Sequence, residues 1–240
     1  MKTRSWLVVL GGVGLLISAA AGSSLAYEGA AVAEKGSVSG VVKAAGKPPV
    51  PKPIEVNKDQ ATCGKSQPAE SLILGAGNSV KNAVIRLTNI SKGKPLDTAA
   101  KVVLDQTKCR FVPHVVVVPV GATLEIKNSD PITHNVHTFS IENDPINKAQ
   151  PKTVPIIPTK FTAPEIVKTQ CDIHKWMGTW IVAADHPYYA VTDDKGQFKL
   201  ADVPPGAYQM EVWHETLGKV TKAVTVKANA DASVSVELKK

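Results

Sequence analysis

The chain has 240 residues, a formal net charge of +7, 43% hydrophobic and only 5% aromatic residues, with 17 glycines and 17 prolines. Its lysines and arginines are scattered rather than gathered into runs, which argues against nucleic acid as a partner and leaves at most a mild preference for acidic protein surfaces. Six histidines and three methionines make no His-rich or Met-rich tract, and no Gly-x-Ser-x-Gly or His-Glu-x-x-His motif suggests a hydrolase.

At the start of the chain, Lys2 and Arg4 precede an apolar run from Trp6 to Ile17, and Ser24-Leu25-Ala26 places small residues where a signal peptidase reads. The run is shorter than the roughly 20 residues a membrane-spanning helix needs. Residues 1–26 are therefore expected to be a cleavable signal peptide, placing residues 27–240 in the periplasm or otherwise outside the cytoplasm without a stable membrane span. Removing Lys2 and Arg4 lowers the formal charge from +7 to +5, because no acidic residue lies in that segment.

The remainder reads as an all-β protein with little helix. Val is abundant, turn residues are frequent, and apolar residues recur at period two, as in Val234, Val236 and Leu238 alternating with Ser233, Ser235 and Glu237. Gly36 to Val42 and Lys81 to Leu87 open one β pattern. From about Lys101 to Ala184 a run of short strands separated by turns points to a sandwich or Greek-key barrel. Ala190 to Leu200 and Val203 to Met210 then carry hairpin turn chemistry, Asp193-Asp194-Lys195-Gly196 and Pro204-Pro205-Gly206.

Three cysteines in an exported chain leave one unpaired, and three pairings are open. Cys63 with Cys109 is the expected disulfide, because Cys171 is the cysteine with metal-ligand residue types beside it. In Cys171-Asp172-Ile173-His174-Lys175-Trp176-Met177 a thiol, an imidazole and a thioether stand at C-x2-H-x2-M spacing, which one loop between two strands can aim at a single point. With a second imidazole they make the trigonal His2Cys set with a long axial Met that suits electron-transferring copper. Thr133-His134-Asn135-Val136-His137 offers that imidazole. His137, three residues along the same strand from His134, falls on the opposite face.

These residues carry a resemblance. Phe111-x-Pro113, the Gly121-x-x-Leu124 strand, His134-Asn135-Val136-His137 and Cys171-x2-His174-x2-Met177 resemble the blue copper proteins of the cupredoxin family, amicyanin and plastocyanin among them. The resemblance covers residues 101–186 and implies one type 1 copper held by His134, Cys171, His174 and Met177. It also implies that Asn135 ties the two ligand loops together, with its N–H directed at the thiolate, and that His174 lies near the surface as the electron's exit. No tyrosine precedes the Cys171 loop where the family often has one.

The flanks, residues 36–98 and 187–240, resemble in two parts a carboxypeptidase regulatory-like, transthyretin-like β-sandwich, through Gly36-x-Val38-x-Gly40, Thr192-Asp193-x-x-Gly196-x-Phe198 and Pro204-Pro205-Gly206-x-Tyr208. On that reading the copper unit is inserted between Leu87 and Tyr189, which is physically easy at an exposed loop whose ends lie close. His186-Pro187 reads as a linker. The expected function is a periplasmic single-electron carrier, not an enzyme, with redox proteins as partners. The alternatives are a non-redox copper-binding protein, or an envelope interaction protein whose sandwich binds a partner, for which Tyr188-Tyr189 is the one candidate exposed aromatic cluster.

Overall fold

A computed structural model describes residues 26–240; apart from Ala26, the expected signal peptide lies outside the described residues. The described chain is almost entirely β, with one four-residue α-helix, Gln60–Cys63, and a three-residue 3-10 turn.

Alternation builds two separate cores. In the first, the strands Gly36–Ala44, Gln197–Val203 and Asp231–Leu238 form a three-stranded sheet, and Tyr189–Val191, Val84–Leu87, Gly206–His214 and Gly218–Val226 form a four-stranded one. Val38, Val42, Ile85, Leu87, Met210 and Val236 are among the side chains buried in it, each worth about 1.5–3 kcal/mol relative to exposure. Gly40 is required by close approach: a Cβ there would stand 2.0 Å from the Val234 carbonyl oxygen and 2.9 Å from the Phe198 ring.

The second core lies between a four-stranded sheet, Ile156–Lys160, Thr123–Asn128, Lys101–Thr107 and Arg110–Val112, and a five-stranded sheet, Asn147–Gln150, His134–Phe139, Glu165–Gln170, Gly178–Ala184 and Val115–Pro119. Leu104, Phe111, Leu124, Ile126, Val136, Phe161, Val167 and Ile181 fill it. Val56 and Cys63 join this core although they precede Val84 in sequence. The arm that carries them therefore reaches across from the first unit to the second.

The connection between units follows from strand order. Val84–Leu87 pairs with Tyr189–Val191 on one side and Gly206–His214 on the other, so the chain leaves and re-enters the first sandwich at neighbouring points. The Leu87 N–H donates to the Tyr188 carbonyl at 3.3 Å. Val84, Val115 and Val182 form a small third cluster at the junction, where the Trp180 and Trp213 rings meet edge to face at 4.9 Å.

Near that junction the structure departs from the sequence expectations. Tyr188 is fully buried, with its hydroxyl donating to the Asp202 carbonyl, and Tyr189 is half-buried against Arg86 and Asp185, so this pair is not an exposed aromatic cluster. His186 lies in the bend between Gly178–Ala184 and Tyr189–Val191 that joins the two units, and there it is buried among Tyr27, Tyr188 and Tyr189.

Candidate metal centre

The first ligand strand is positioned by a turn. Asn128 accepts the Asp130 N–H at 3.1 Å, closing a local Asx turn, and its amide donates to the Ile132 and Gln150 carbonyls. The turn aims Asp130 inward and starts the strand at His134. Asp130 also accepts the N–H groups of Lys108 and Cys109 at 2.7 and 2.8 Å. Those two residues form a hairpin turn with φ of 52° and 55°, a conformation costly for side-chain-bearing residues, and the carboxylate satisfies both of their donors.

The second ligand segment is the loop between Glu165–Gln170 and Gly178–Ala184, whose ends pair at Gln170 and Gly178. Inside it the Cys171 N–H donates to the Met177 carbonyl at 3.1 Å, and the Met177 N–H to the His174 carbonyl at 2.8 Å. These bonds fold the loop so that Cys171, His174 and Met177 are all buried. Asn135 joins the two segments. Its N–H donates to Cys171 Sγ at 3.3 Å, its side-chain oxygen accepts the Asp172 N–H at 3.0 Å, and its amide donates to Asn147 at 2.7 Å. A second N–H, from His174, reaches the sulfur at 3.4 Å.

His134, Cys171 and His174 converge so that one donor atom from each lies within 4.8 Å of the others. His134 Nδ1 and His174 Nδ1 are 3.0 Å apart, and Cys171 Sγ is 3.8 Å from His174 Nδ1. The outer nitrogens are both held by carboxylates: His134 Nε2 by Asp130 at 2.9 Å and His174 Nε2 by Asp59 at 2.8 Å. A carboxylate accepts and does not donate, so each Nε2 carries its ring's proton and each Nδ1 presents a lone pair. Two lone pairs facing at 3.0 Å repel unless a proton or a metal ion lies between them. One ion at about 2.0 Å from each nitrogen fits that separation, and thiolate plus imidazole is a donor set for copper or zinc. Met177 shares the core with Cys171.

Burial pushes the Cys171 thiol above its ordinary range, against the pull of the His174 and Asn135 N–H groups. Burial likewise pushes His134 below the ordinary imidazole range, with the Asp130 hydrogen bond opposing it. The pocket thus favours neutral groups, and a metal bound there displaces the thiol proton.

The family resemblance implied that His174 lies near the surface; the ring itself is 0% exposed and stands one side chain from solvent, behind Asp59, which is 37% exposed. Asp59 caps its outer nitrogen, and the half-buried Trp176 ring sits 5.1 Å from it, centroid to centroid, donating its indole N–H to the Cys109 carbonyl. A disulfide between Cys63 and Cys109 anchors the short helix that follows Asp59. His137 turns away, pairs with Asp172 at 2.9 Å and stacks on Phe139.

Sequence reasoning missed both carboxylates. Asp130 stands four residues before His134, a signal that could have been read; Asp59 is 115 residues from His174 and carries none.

The family model described as polysaccharide lyase family 4, domain II matches residues 161–234, a stretch that begins in the second core and ends in the first. It is not the carboxypeptidase regulatory-like description that the flanks suggested. No curated protein sequence matches the chain. Among solved structures the chain is similar to a Cu-containing nitrite reductase from Thermus scotoductus SA-01, at 22% identity and TM-score 0.33, over 35% of this chain and 22% of that one. It is also similar to a point mutant of amicyanin in its reduced Cu(I) form, at 22% identity and TM-score 0.33, over 35% of this chain and 83% of that one. A purple cupredoxin from Nitrosopumilus maritimus shares 19% identity at TM-score 0.30, over 35% of this chain and 99% of that one. These are partial similarities, and the chemistry has to be read from the site itself. No helix among the described residues is long and apolar enough to cross a membrane.

Proposed function

We propose that the protein is an exported single-electron carrier with one type 1 copper held by His134, Cys171 and His174, and by Met177 as a weak axial ligand. The observation that carries this reading is the pair of Nδ1 lone pairs facing each other at 3.0 Å beside a buried thiol. When bound, copper supplies the Cu(I)/Cu(II) couple.

The chain's own groups do the rest. Asp130 and Asp59 fix the tautomer and orientation of the two rings, as carboxylates behind metal-bound histidines do. Asn135 and His174 direct N–H groups at the sulfur, which disperses thiolate charge and tunes the potential. The surrounding apolar core, with Phe111, Val136 and Ile181, excludes water. Two segments pinned to neighbouring strands hold the donors in one arrangement, so a change of charge need not move them.

The proposed location is the periplasm, the partners are redox proteins, and no catalytic role is assigned. The first sandwich contributes the Asp59 arm. The test is a Cu(II) titration of residues 27–240 followed by visible absorption. An intense sulfur-to-copper charge-transfer band saturating at one copper per chain is expected; colourless or non-stoichiometric binding would sink the reading.

A second reading is a copper-binding protein without redox turnover. The placement of Asp59 over His174 favours it, because this one partly exposed side chain stands between the ring and solvent. Exchange of electrons between the loaded protein and a small soluble oxidant separates the two readings: prompt bleaching and recovery of the band supports the carrier.

A further inference from the structure

The Cys63–Cys109 disulfide sits behind both ligand histidines. Cys109 Sγ lies within 4.8 Å of an Asp130 oxygen and a His134 nitrogen. On one side of the bond, the Cys109 N–H donates at 2.8 Å to Asp130, the carboxylate that holds His134 Nε2. On the other side, the Cys63 N–H donates at 2.9 Å to the carbonyl of Asp59, whose carboxylate holds His174 Nε2. One covalent bond thus joins the two backbones that position these carboxylates. Cys109 reaches the Cys171 loop as well, since its carbonyl accepts the Trp176 indole N–H at 3.2 Å.

The backbone around the bond is held in place by its surroundings. Asp59, Lys108 and Cys109 have φ of 50°, 52° and 55°, and side-chain-bearing residues keep that conformation only where the rest of the fold imposes it. Asp59 also has a competing partner. An aspartate at a helix start ordinarily accepts N–H groups of its own first turn, but this one caps none of them and is turned to His174 instead.

We propose that this disulfide is a redox lock on the metal centre, opened by a dithiol reductant to release the ion. The inference rests on His134 and His174 being metal ligands, as in the proposed function. Closed, the bond keeps the two carboxylates on the Nε2 protons and leaves both Nδ1 lone pairs facing the ion. Opening is thiol–disulfide exchange: a thiolate of the reductant attacks one sulfur, a mixed disulfide forms, and the reductant's second thiol resolves it. The dithiol gives up two electrons and two protons and ends as a disulfide, while both cysteine sulfurs end as thiols. The three residues at positive φ then relax, the carboxylates move, and each ring can place its proton on Nδ1, which then no longer offers a lone pair. Gln67 donates to the Cys63 and Lys108 carbonyls at 2.5 and 3.1 Å, so the arm is loosened and not detached. Cys63 is 3% exposed and Cys109 0%. Attack therefore waits on movement of the arm, which a bound ion opposes.

The test uses Zn2+, a redox-inert ion that takes the same sulfur and nitrogen donors, in competition with a chelator. Oxidised wild type is expected to bind Zn2+ about 10–100-fold more tightly than the Cys63→Ser/Cys109→Ser variant. In the metal-free proteins, nitrogen NMR should show both Nε2 atoms protonated in wild type and a mixture of tautomers in the variant, a difference that a purely stabilising disulfide would not produce. Should the variant fold poorly, wild type answers by itself: reduction by a water-soluble phosphine should be about tenfold or more slower with Zn2+ bound, because its rate follows the population of the opened arm. Equal Zn2+ affinity and equal tautomers with the bond present or absent, or a reduction rate indifferent to Zn2+, would overturn the proposal. A colourless Cu(II) titration of the oxidised protein sinks the electron carrier instead, and leaves the Zn2+ and NMR comparisons to decide the lock.

Discussion

The Nδ1 atoms of His134 and His174 face each other across 3.0 Å, although 40 residues separate them and a different carboxylate holds the outer nitrogen of each ring. Proton placement follows from the two carboxylates, and ligand placement follows from proton placement. The centre is thus arranged by groups that would never touch the metal.

Cys171→Ser should abolish the intense visible band, because the charge-transfer donor is the thiolate. His137→Ala should keep it, since that ring pairs with Asp172 and stacks on Phe139. Colour retained in the first variant, or lost in the second, would refute the ligand set.

Asp130→Asn should weaken copper binding by about 10–100-fold, the usual effect of losing the partner behind a metal-bound histidine. It should also lower stability by about 1–3 kcal/mol, because the carboxylate accepts the N–H groups of Lys108 and Cys109 as well. Chelator competition reads the first effect and denaturant midpoints the second. Unchanged affinity would mean that the His134 tautomer is fixed by something else.

Asp59→Ala removes the cap on His174 without touching a donor atom. Electron exchange with a small soluble oxidant should speed up while the visible band survives. Stopped-flow rates equal to wild type would show that access to His174 is not controlled at Asp59.

Replacing both Cys63 and Cys109 with serine should cost about 2–5 kcal/mol, the usual range for a native disulfide in an exported domain. The same change loosens the helix after Asp59, so the exchange rate should move in the direction of Asp59→Ala. A denaturation midpoint equal to wild type would show that the disulfide does not stabilise the fold.

Glu165 sets one pH dependence. Burial pushes its carboxyl up, but hydrogen bonds from Ser140, Asn143 and the N–H groups of Ile141 and Glu142 outweigh it and hold the group below the ordinary range. A depressed folded-state value means that the contribution is present above about pH 4.3, the unfolded value, and is lost as pH falls below that through the folded one. Glu165→Gln should cost about 1 kcal/mol at neutral pH, at the low end for a charged hydrogen bond because the group is partly exposed to solvent. The gap to wild type should close in acid; a gap independent of pH would show that Glu165 acts through packing.

Local signals carry certain features by themselves. Period-two alternation and turn residues are properties of neighbouring positions, so the all-β class could be read directly. The C-x2-H spacing is equally local, because one seven-residue loop closed by the Cys171–Met177 backbone bond brings Cys171 Sγ and His174 Nδ1 together at 3.8 Å. Even the choice of Cys63 with Cys109 followed from which cysteine had ligand types beside it. Only the tertiary structure decided the rest. The arm that leaves the first sandwich to deliver Asp59 and Cys63 joins residues far apart in the chain, and no periodicity encodes such a crossing. The family resemblance implied His174 near the surface, and what covers it, Asp59, comes from 115 residues earlier. Burial, and with it the partner of every buried nitrogen, is settled by what packs from elsewhere in the chain.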